Sequence, residues 1–117
     1  MTRTLSLMAM LTLSACASTT APPYAECGGS GNCAGPADTC YRLRFTRSDG
    51  SAADGKFCSA ACSADATCPD DGVCLALAGD ASGRSICYAP CASSADCYAG
   101  LRCTAVTGAR VPSVCMP

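Results

Sequence analysis

Nine cysteines between Cys58 and Cys115 fall at almost fixed intervals, C-x3-C-x5-C-x5-C-x12-C-x3-C-x5-C-x5-C-x11-C, so one block of spacing occurs twice. Cys62, Cys68, Cys74 and Cys87 form one set of four, and Cys91, Cys97, Cys103 and Cys115 form the next. Cys27, Cys33, Cys40 and Cys58 make a looser first copy, with an extra residue before Cys40 and a longer stretch before Cys58. Self-similarity at a fixed period marks a repeat architecture in which each unit is one supersecondary element. Each unit is about 30 residues, below the roughly 40 at which a chain usually folds without disulfides, metal or assembly. Cross-links therefore have to replace much of a core.

Thirteen cysteines in 117 residues exceed the density that marks a disulfide scaffold. The apolar half of the composition is mostly Ala and Cys, with two Phe, four Tyr and no Trp. Such side chains bury little area each, so a conventional core is not expected. Cysteines at this density persist as disulfides only in an oxidising compartment, whereas in a cytosol they suggest metal binding. Export is the expectation. The alternative is a zinc-binding cysteine-rich protein, if the cysteines are reduced and C-x3-C or C-x5-C pairs supply thiolates. No C-x-x-C occurs to support a thioredoxin-like redox role.

Thirteen is odd, and Cys16 is the cysteine outside the three sets. Residues 1–15 read as a signal peptide: Arg3 supplies a positive start, and the apolar run 5–13 is too short to span a bilayer. Leu13-Ser14-Ala15-Cys16 resembles the lipobox of bacterial lipoproteins. That resemblance implies cleavage before Cys16 and acyl chains on it, a stable membrane anchor when two or more chains are attached. Because Ala17 and Ser18 lack the aspartate that retains such lipoproteins at the inner membrane, the resemblance implies outer-membrane placement. The alternative is cleavage at Ala15-Cys16-Ala17, which would release a secreted protein starting at Ser18. Residues 16–26, rich in Ser, Thr and Pro, read as a polar extended linker with a reach of roughly 30 Å.

The rest divides into repeats at 27–58, 59–87 and 88–117. The spacers before each third cysteine are turn-forming, as in Pro69-Asp70-Asp71-Gly72 and Tyr98-Ala99-Gly100. After it, apolar and polar residues alternate with period two, most clearly in Tyr41-Arg42-Leu43-Arg44-Phe45. The expected fold class is small and disulfide-rich: three tandem four-cysteine repeats, each a loop knuckle plus a short β-hairpin, with little helix. The first hairpin is expected to run out over 40–47 and return only at 55–58 after a long loop. The second is expected over 73–78 and 84–87, and the third over 103–106 and 114–115. Four cysteines allow three pairings, among which spacing does not choose. First to third and second to fourth is the expected arrangement, because it ties both strands of a hairpin to two points on the knuckle. The bonds would be Cys27–Cys40, Cys33–Cys58, Cys62–Cys74, Cys68–Cys87, Cys91–Cys103 and Cys97–Cys115.

The tandem C-x3-C-x5-C-x5-C spacing with Ser-, Ala- and Asp-rich spacers resembles the cysteine-rich repeats of myxobacterial secreted proteins and lipoproteins. It is also similar to the N-terminal cysteine-rich region of Dickkopf proteins. The resemblance implies a disulfide-knotted interaction module and transfers no binding residues.

With no histidine, the Ser-His and Cys-His nucleophile pairs and His-based zinc sites are excluded. Lys56, the only lysine, and Asp70-Asp71 read as a solvated strand residue and a turn, so no enzyme activity and no cofactor are expected. Asn32 and Asp96 read as turn caps. A formal net charge of −1 offers no basic field for nucleic acid. The surface feature above background is Arg42 and Arg44 on one face of the first hairpin, with Arg47 beyond them, able to meet an acidic partner or lipid headgroups. The functional expectation is a membrane-anchored, non-enzymatic binding or structural module with an unidentified envelope or protein partner. Competing readings are a spacer and a protease inhibitor presenting Arg47 on a loop over 46–56.

Overall fold

A computed structural model of the chain describes residues 20–28, 32–76 and 83–117. The signal peptide, Cys16 and the start of the linker lie outside the described residues, as do 29–31 of the first knuckle and 77–82 of the second hairpin. The described residues form three separate two-stranded antiparallel sheets. Strand β1 (Thr39–Thr46) pairs with β2 (Ala52–Ser59), β3 (Val73–Ala76) with β4 (Ser85–Tyr88), and β5 (Arg102–Ala105) with β6 (Ser113–Met116). Two single 3-10 turns, Asp65–Thr67 and Ser94–Asp96, lie in the second and third knuckles. This is a small disulfide-rich fold of three hairpins.

Six disulfides join Cys27–Cys40, Cys33–Cys58, Cys62–Cys74, Cys68–Cys87, Cys91–Cys103 and Cys97–Cys115. The third and fourth cysteines of each set stand directly opposite each other across the hairpin, as Cys40 and Cys58, Cys74 and Cys87, and Cys103 and Cys115. Residues opposite each other in a ladder project to the same face. Both sulfurs therefore leave one face of the hairpin, where the first two cysteines meet them. The knuckle is stapled flat onto that face.

A second rule holds in all three repeats. The residue before the first cysteine bridges the residue before the fourth: Glu26 to Phe57, Ala61 to Ile86 and Pro90 to Val114. The hydrogen bonds match, since Cys58, Cys87 and Cys115 donate their N–H groups to the carbonyls of Ala25, Ala60 and Ala89 at 2.9, 3.1 and 2.8 Å. The entering chain thus covers the outer edge of each returning strand, an edge that would otherwise offer unpaired backbone groups. In the second and third repeats the knuckle also reaches the third cysteine: Cys74 N–H donates to Asp65 Oδ1 at 2.8 Å and Cys103 N–H to Ser94 Oγ at 3.2 Å. Asp96 accepts from the N–H groups of Ala92 and Ser93, which holds its carboxyl below the usual carboxylate range.

The first hairpin differs from its expected form. Its return strand starts at Ala52, and the connection is only 47–51, closed by Arg47 N–H to Ser51 O at 2.8 Å and by Asp49 Oδ1 accepting from Ser51. The sequence 52–55, Ala-Ala-Asp-Gly, is poor in strand-forming residues. It is held extended by tertiary contacts: Ala53 is buried, and Gly55 leaves room for Pro117, against which a Cβ would sit at 2.7 Å. Glycine in a strand marks such a close approach.

The expectation that a conventional core is absent is also overturned. Leu43, Phe57, Val73, Ile86, Tyr88, Leu101, Val114 and Met116, with Cys115, form one buried cluster drawn from all three repeats. Each hairpin turns its other face inward, so a few apolar residues from each suffice once pooled. Residues flanking the fourth cysteines supply much of it, as in Phe57 packing on Tyr88 with ring centroids 5.5 Å apart. Burying a side chain of this size stabilises by about 1.5–3 kcal/mol. Polar contacts tie the same units: Ser59 Oγ donates to Cys87 O at 2.6 Å, and Arg110 reaches Asp65 Oδ2 at 3.1 Å and Asp71 O at 2.9 Å.

The linker is shorter than expected, because residues 21–26 are docked on the module. Ala21 N–H donates to Asn32 O at 2.6 Å, Ala34 N–H donates to Ala21 O at 3.0 Å, and Tyr24 N–H donates to Cys58 O at 2.8 Å. Tyr24 is buried beside Cys68 and Cys87, and its hydroxyl donates to Pro69 O at 2.6 Å. Pro69–Gly72 is a tight turn with Asp70 and Asp71 both left-handed, at φ 53° and 57°, and Gly72 N–H donating to Pro69 O at 3.0 Å. Any Cβ on Gly72 would collide with Tyr24 Oη. The polar composition of the linker concealed the aromatic anchor within it.

Burial, with the Asp70 carboxylate nearby, pushes the Tyr24 phenol from 10.0 up to about 12. The folded state favours the neutral phenol, so this contribution is complete below pH 10.0 and lost as pH rises through about 12. Gly72→Ala should expel the ring and return its ionisation towards the ordinary value of about 10. A rapid-mixing tyrosinate absorbance titration of parent and variant would read this. An unchanged titration would show that Tyr24 does not dock against Gly72.

Candidate functional site

The first hairpin carries the chain's densest group of cationic side chains. Period two over β1 and β2 places Cys40, Arg42, Arg44 and Thr46 on one face with Ala52, Asp54, Lys56 and Cys58 opposite them. Tyr41, Leu43, Phe45, Ala53 and Phe57 take the other face, towards the core. The outer face is exposed at Arg42, Arg44, Asp54 and Lys56.

Asp54 organises this face. Arg42 donates through Nε to Oδ1 at 2.9 Å and through Nη2 to Oδ2 at 2.8 Å, a two-point contact, and Arg44 adds Nε to Oδ2 at 3.3 Å. Two-point guanidinium–carboxylate pairs are geometrically specific as well as favourable. Hydrogen bonding from Arg42 holds the Asp54 carboxyl down to about 2, with the charges of Arg42 and Arg44 acting in the same direction. One carboxylate thus serves two guanidinium groups, and with Lys56 directly across from Arg42 the face keeps an excess of positive charge. Arg84 of the second repeat lies 5.2 Å over the Tyr41 ring, on the other face of the hairpin, and bonds to Arg42 O.

Of the three arginines singled out in the sequence, Arg42 and Arg44 are brought together and Arg47 is not. Arg47 bends back into the turn, donating through Nη1 to Ser51 Oγ at 3.2 Å and Ala52 O at 3.1 Å. A side chain presented to a protease pocket must project from an extended loop, whereas 52–56 is paired strand and Arg47 is folded onto its own turn. Asp54 and Lys56 were missed as members of the face. The signal was present: charged residues at 54 and 56 alternate with Ala53, Gly55 and Phe57.

The twelve cysteines of the repeats are all in disulfides. In each repeat three sulfurs lie within 4.8 Å of one another: Cys27, Cys33 and Cys58; Cys62, Cys68 and Cys87; and Cys91, Cys97 and Cys115. Zinc takes thiolates, which a disulfide does not offer, so these clusters would become ligand sets only on reduction. Asp70 and Asp71 occupy the middle of an exposed turn.

Comparison of the chain with protein-family models, with curated proteins and with solved structures finds no match.

Because the folded state lowers the Asp54 pKa from 3.8 to about 2, the stability it contributes is present above about pH 4 and lost as pH falls through about 2. The Asp54 side-chain carboxyl signal, followed by NMR against pH, should titrate near 2 in the parent and move up towards the ordinary 3.8 in Arg42→Ala, with Arg44 still holding it below that value. Equal midpoints would dissolve the two-point pair.

Proposed function

We propose that this chain is an exported lipoprotein, anchored through acyl chains on Cys16 and displaying its three disulfide-bonded repeats as a non-enzymatic binding and structural module in the cell envelope, at the outer membrane. The observation that carries this reading is the cysteine account: six bonds within the repeats use every cysteine except Cys16. Bonds of this number persist in oxidising compartments. The remaining cysteine falls where the Leu13-Ser14-Ala15-Cys16 segment resembles a lipobox.

A rigid module suits binding, since loops held by cross-links lose little freedom on association. A partner would meet side chains already in place, as Arg42 and Arg44 are around Asp54. Arg47, bonded into its own turn, gives the inhibitor reading no projecting residue at that position.

Mass spectrometry of the native protein, extracted from membranes and alkylated without reduction, tests the reading. The expected mass is that of residues 16–117 with acyl chains, lighter by the hydrogens of six disulfides and carrying no alkyl group. An unlipidated species beginning near Ser18 would make the protein diffusible, and extensive alkylation would reopen zinc binding.

A further inference from the structure

We infer that the outer edge of β1 docks an extended acidic peptide, which adds to the first hairpin as a further strand. Its acidic residues would fall at alternate positions, with apolar ones between. The inference rests on the binding-module part of the reading above and names the kind of partner.

The direction of the backbone groups follows from bonds already formed. Cys58 N–H and C=O both turn to the entering segment, at Ala25 and Tyr24, and Lys56 C=O accepts from Cys27 N–H. Both residues therefore point away from β1. Since directions alternate along an antiparallel ladder, their partners Cys40 and Arg42, and then Arg44 and Thr46, point away from β2. Arg42 C=O has this direction and accepts from Arg84. Beyond it, Arg42 N–H and the N–H and C=O groups of Arg44 and Thr46 have no hydrogen-bond partner among the described residues.

The second and third repeats close the corresponding edge. Asp65 takes Cys74 N–H and Ser94 takes Cys103 N–H, and those strands end soon after, at Ala76 and Ala105. β1 instead runs on from Cys40 to Thr46. Devices that commonly blunt an exposed edge are missing from it. Its register is unbroken from Thr39 to Thr46, no proline occurs there, and the residues turned inward are Tyr41, Leu43 and Phe45 instead of charges.

A strand laid on this edge brings one set of its side chains beside Arg42 and Arg44 and the alternate set beside Tyr41 and Phe45. The first set meets an excess of positive charge, because Arg42 and Arg44 share the one carboxylate of Asp54 and Lys56 stands across from Arg42. Opposite charges side by side across a ladder are favourable and like charges are not. Carboxylates therefore suit this set, and half-buried Phe45 offers apolar surface to the other. A second copy of the chain fits less well: two β1 edges pairing antiparallel about Arg44 would set that guanidinium against its own copy.

The probe is a short blocked peptide of alternating Glu and Val, with one of alternating Lys and Val as control. Each would be added in excess to the mature oxidised chain, isotope-labelled and held in non-ionic detergent, with amide exchange followed by NMR and acyl mass read on the same sample. The Glu peptide should slow exchange at Arg44 and Thr46 about tenfold. Leu43 and Phe45, whose N–H groups already face β2, should not change, and the Lys peptide should protect neither set. Thr46→Pro removes an outward N–H and no ladder bond, and should abolish the protection. Arg44→Glu, which leaves the backbone groups in place, should cut it severalfold. No slowing at Arg44 and Thr46, equal slowing by both peptides, or slowing at Ala52 and Asp54 instead overturns the site. Protection that grows with chain concentration in the absence of peptide assigns the edge to a second copy and also overturns it. An acylated chain with an unprotected edge loses this site and keeps the anchored module, whereas a protected edge without acyl mass does the reverse.

Discussion

Two disulfides that leave the same face of a hairpin set the terms for everything else in this chain. The third and fourth cysteines of each repeat stand opposite each other in the ladder, yet bond to the knuckle instead of to one another. Because the bonds are crossed, with the first cysteine on the outgoing strand and the second on the return, the knuckle can neither slide along the hairpin nor lift from it. Loops of 12 to 25 residues are closed this way, each worth about 3 kcal/mol in a chain-entropy account, though bonds sharing a unit do not add simply. An isolated hairpin is marginal in water, and the crossed pair compensates for that.

Stapling one face leaves the other available. The core-facing side of each hairpin holds too few apolar residues to form a core alone, and the three pool theirs around Phe57, Ile86, Tyr88, Val114 and Met116. Contacts between the hairpin units accompany this shared cluster: Ser59 of β2 to Cys87 of β4, Arg110 to the Asp65–Asp71 turn, and Pro117 against Gly55. The repeats are therefore not beads on a string. The first, with its longer hairpin, extends beyond the others and carries the Arg42–Asp54–Arg44 group on its stapled face.

Grouping of the cysteines was legible because one spacing recurs, and the strands because period two is plain around Leu43. The choice among three pairings was not, since it depends on which face the knuckle covers, a tertiary fact that spacing does not encode. The early start of β2 was hidden by Ala52-Ala53-Asp54-Gly55, where propensity points away from a strand and Pro117, far along the chain, decides the matter. The shared core was overlooked for a related reason: composition counted apolar residues per repeat, whereas Phe57, Ile86 and Val114, each placed just before a fourth cysteine, form a pattern only across repeats. Docking of Tyr24 had one trace in the sequence, a lone aromatic residue amid Ser, Thr and Pro. Its partner Gly72 looked like ordinary turn glycine.

The central claim is the crossed pairing within each repeat, from which the stapled face, the pooled core and the exposed cationic face all follow. Peptide mapping of the native protein, cleaved without reduction under acidic conditions that suppress exchange, tests it most directly. The account predicts Cys27 linked to Cys40 and Cys33 to Cys58, with the corresponding pairs in the other two repeats. A link between the opposed cysteines, such as Cys40 to Cys58, or any link between repeats, would contradict it.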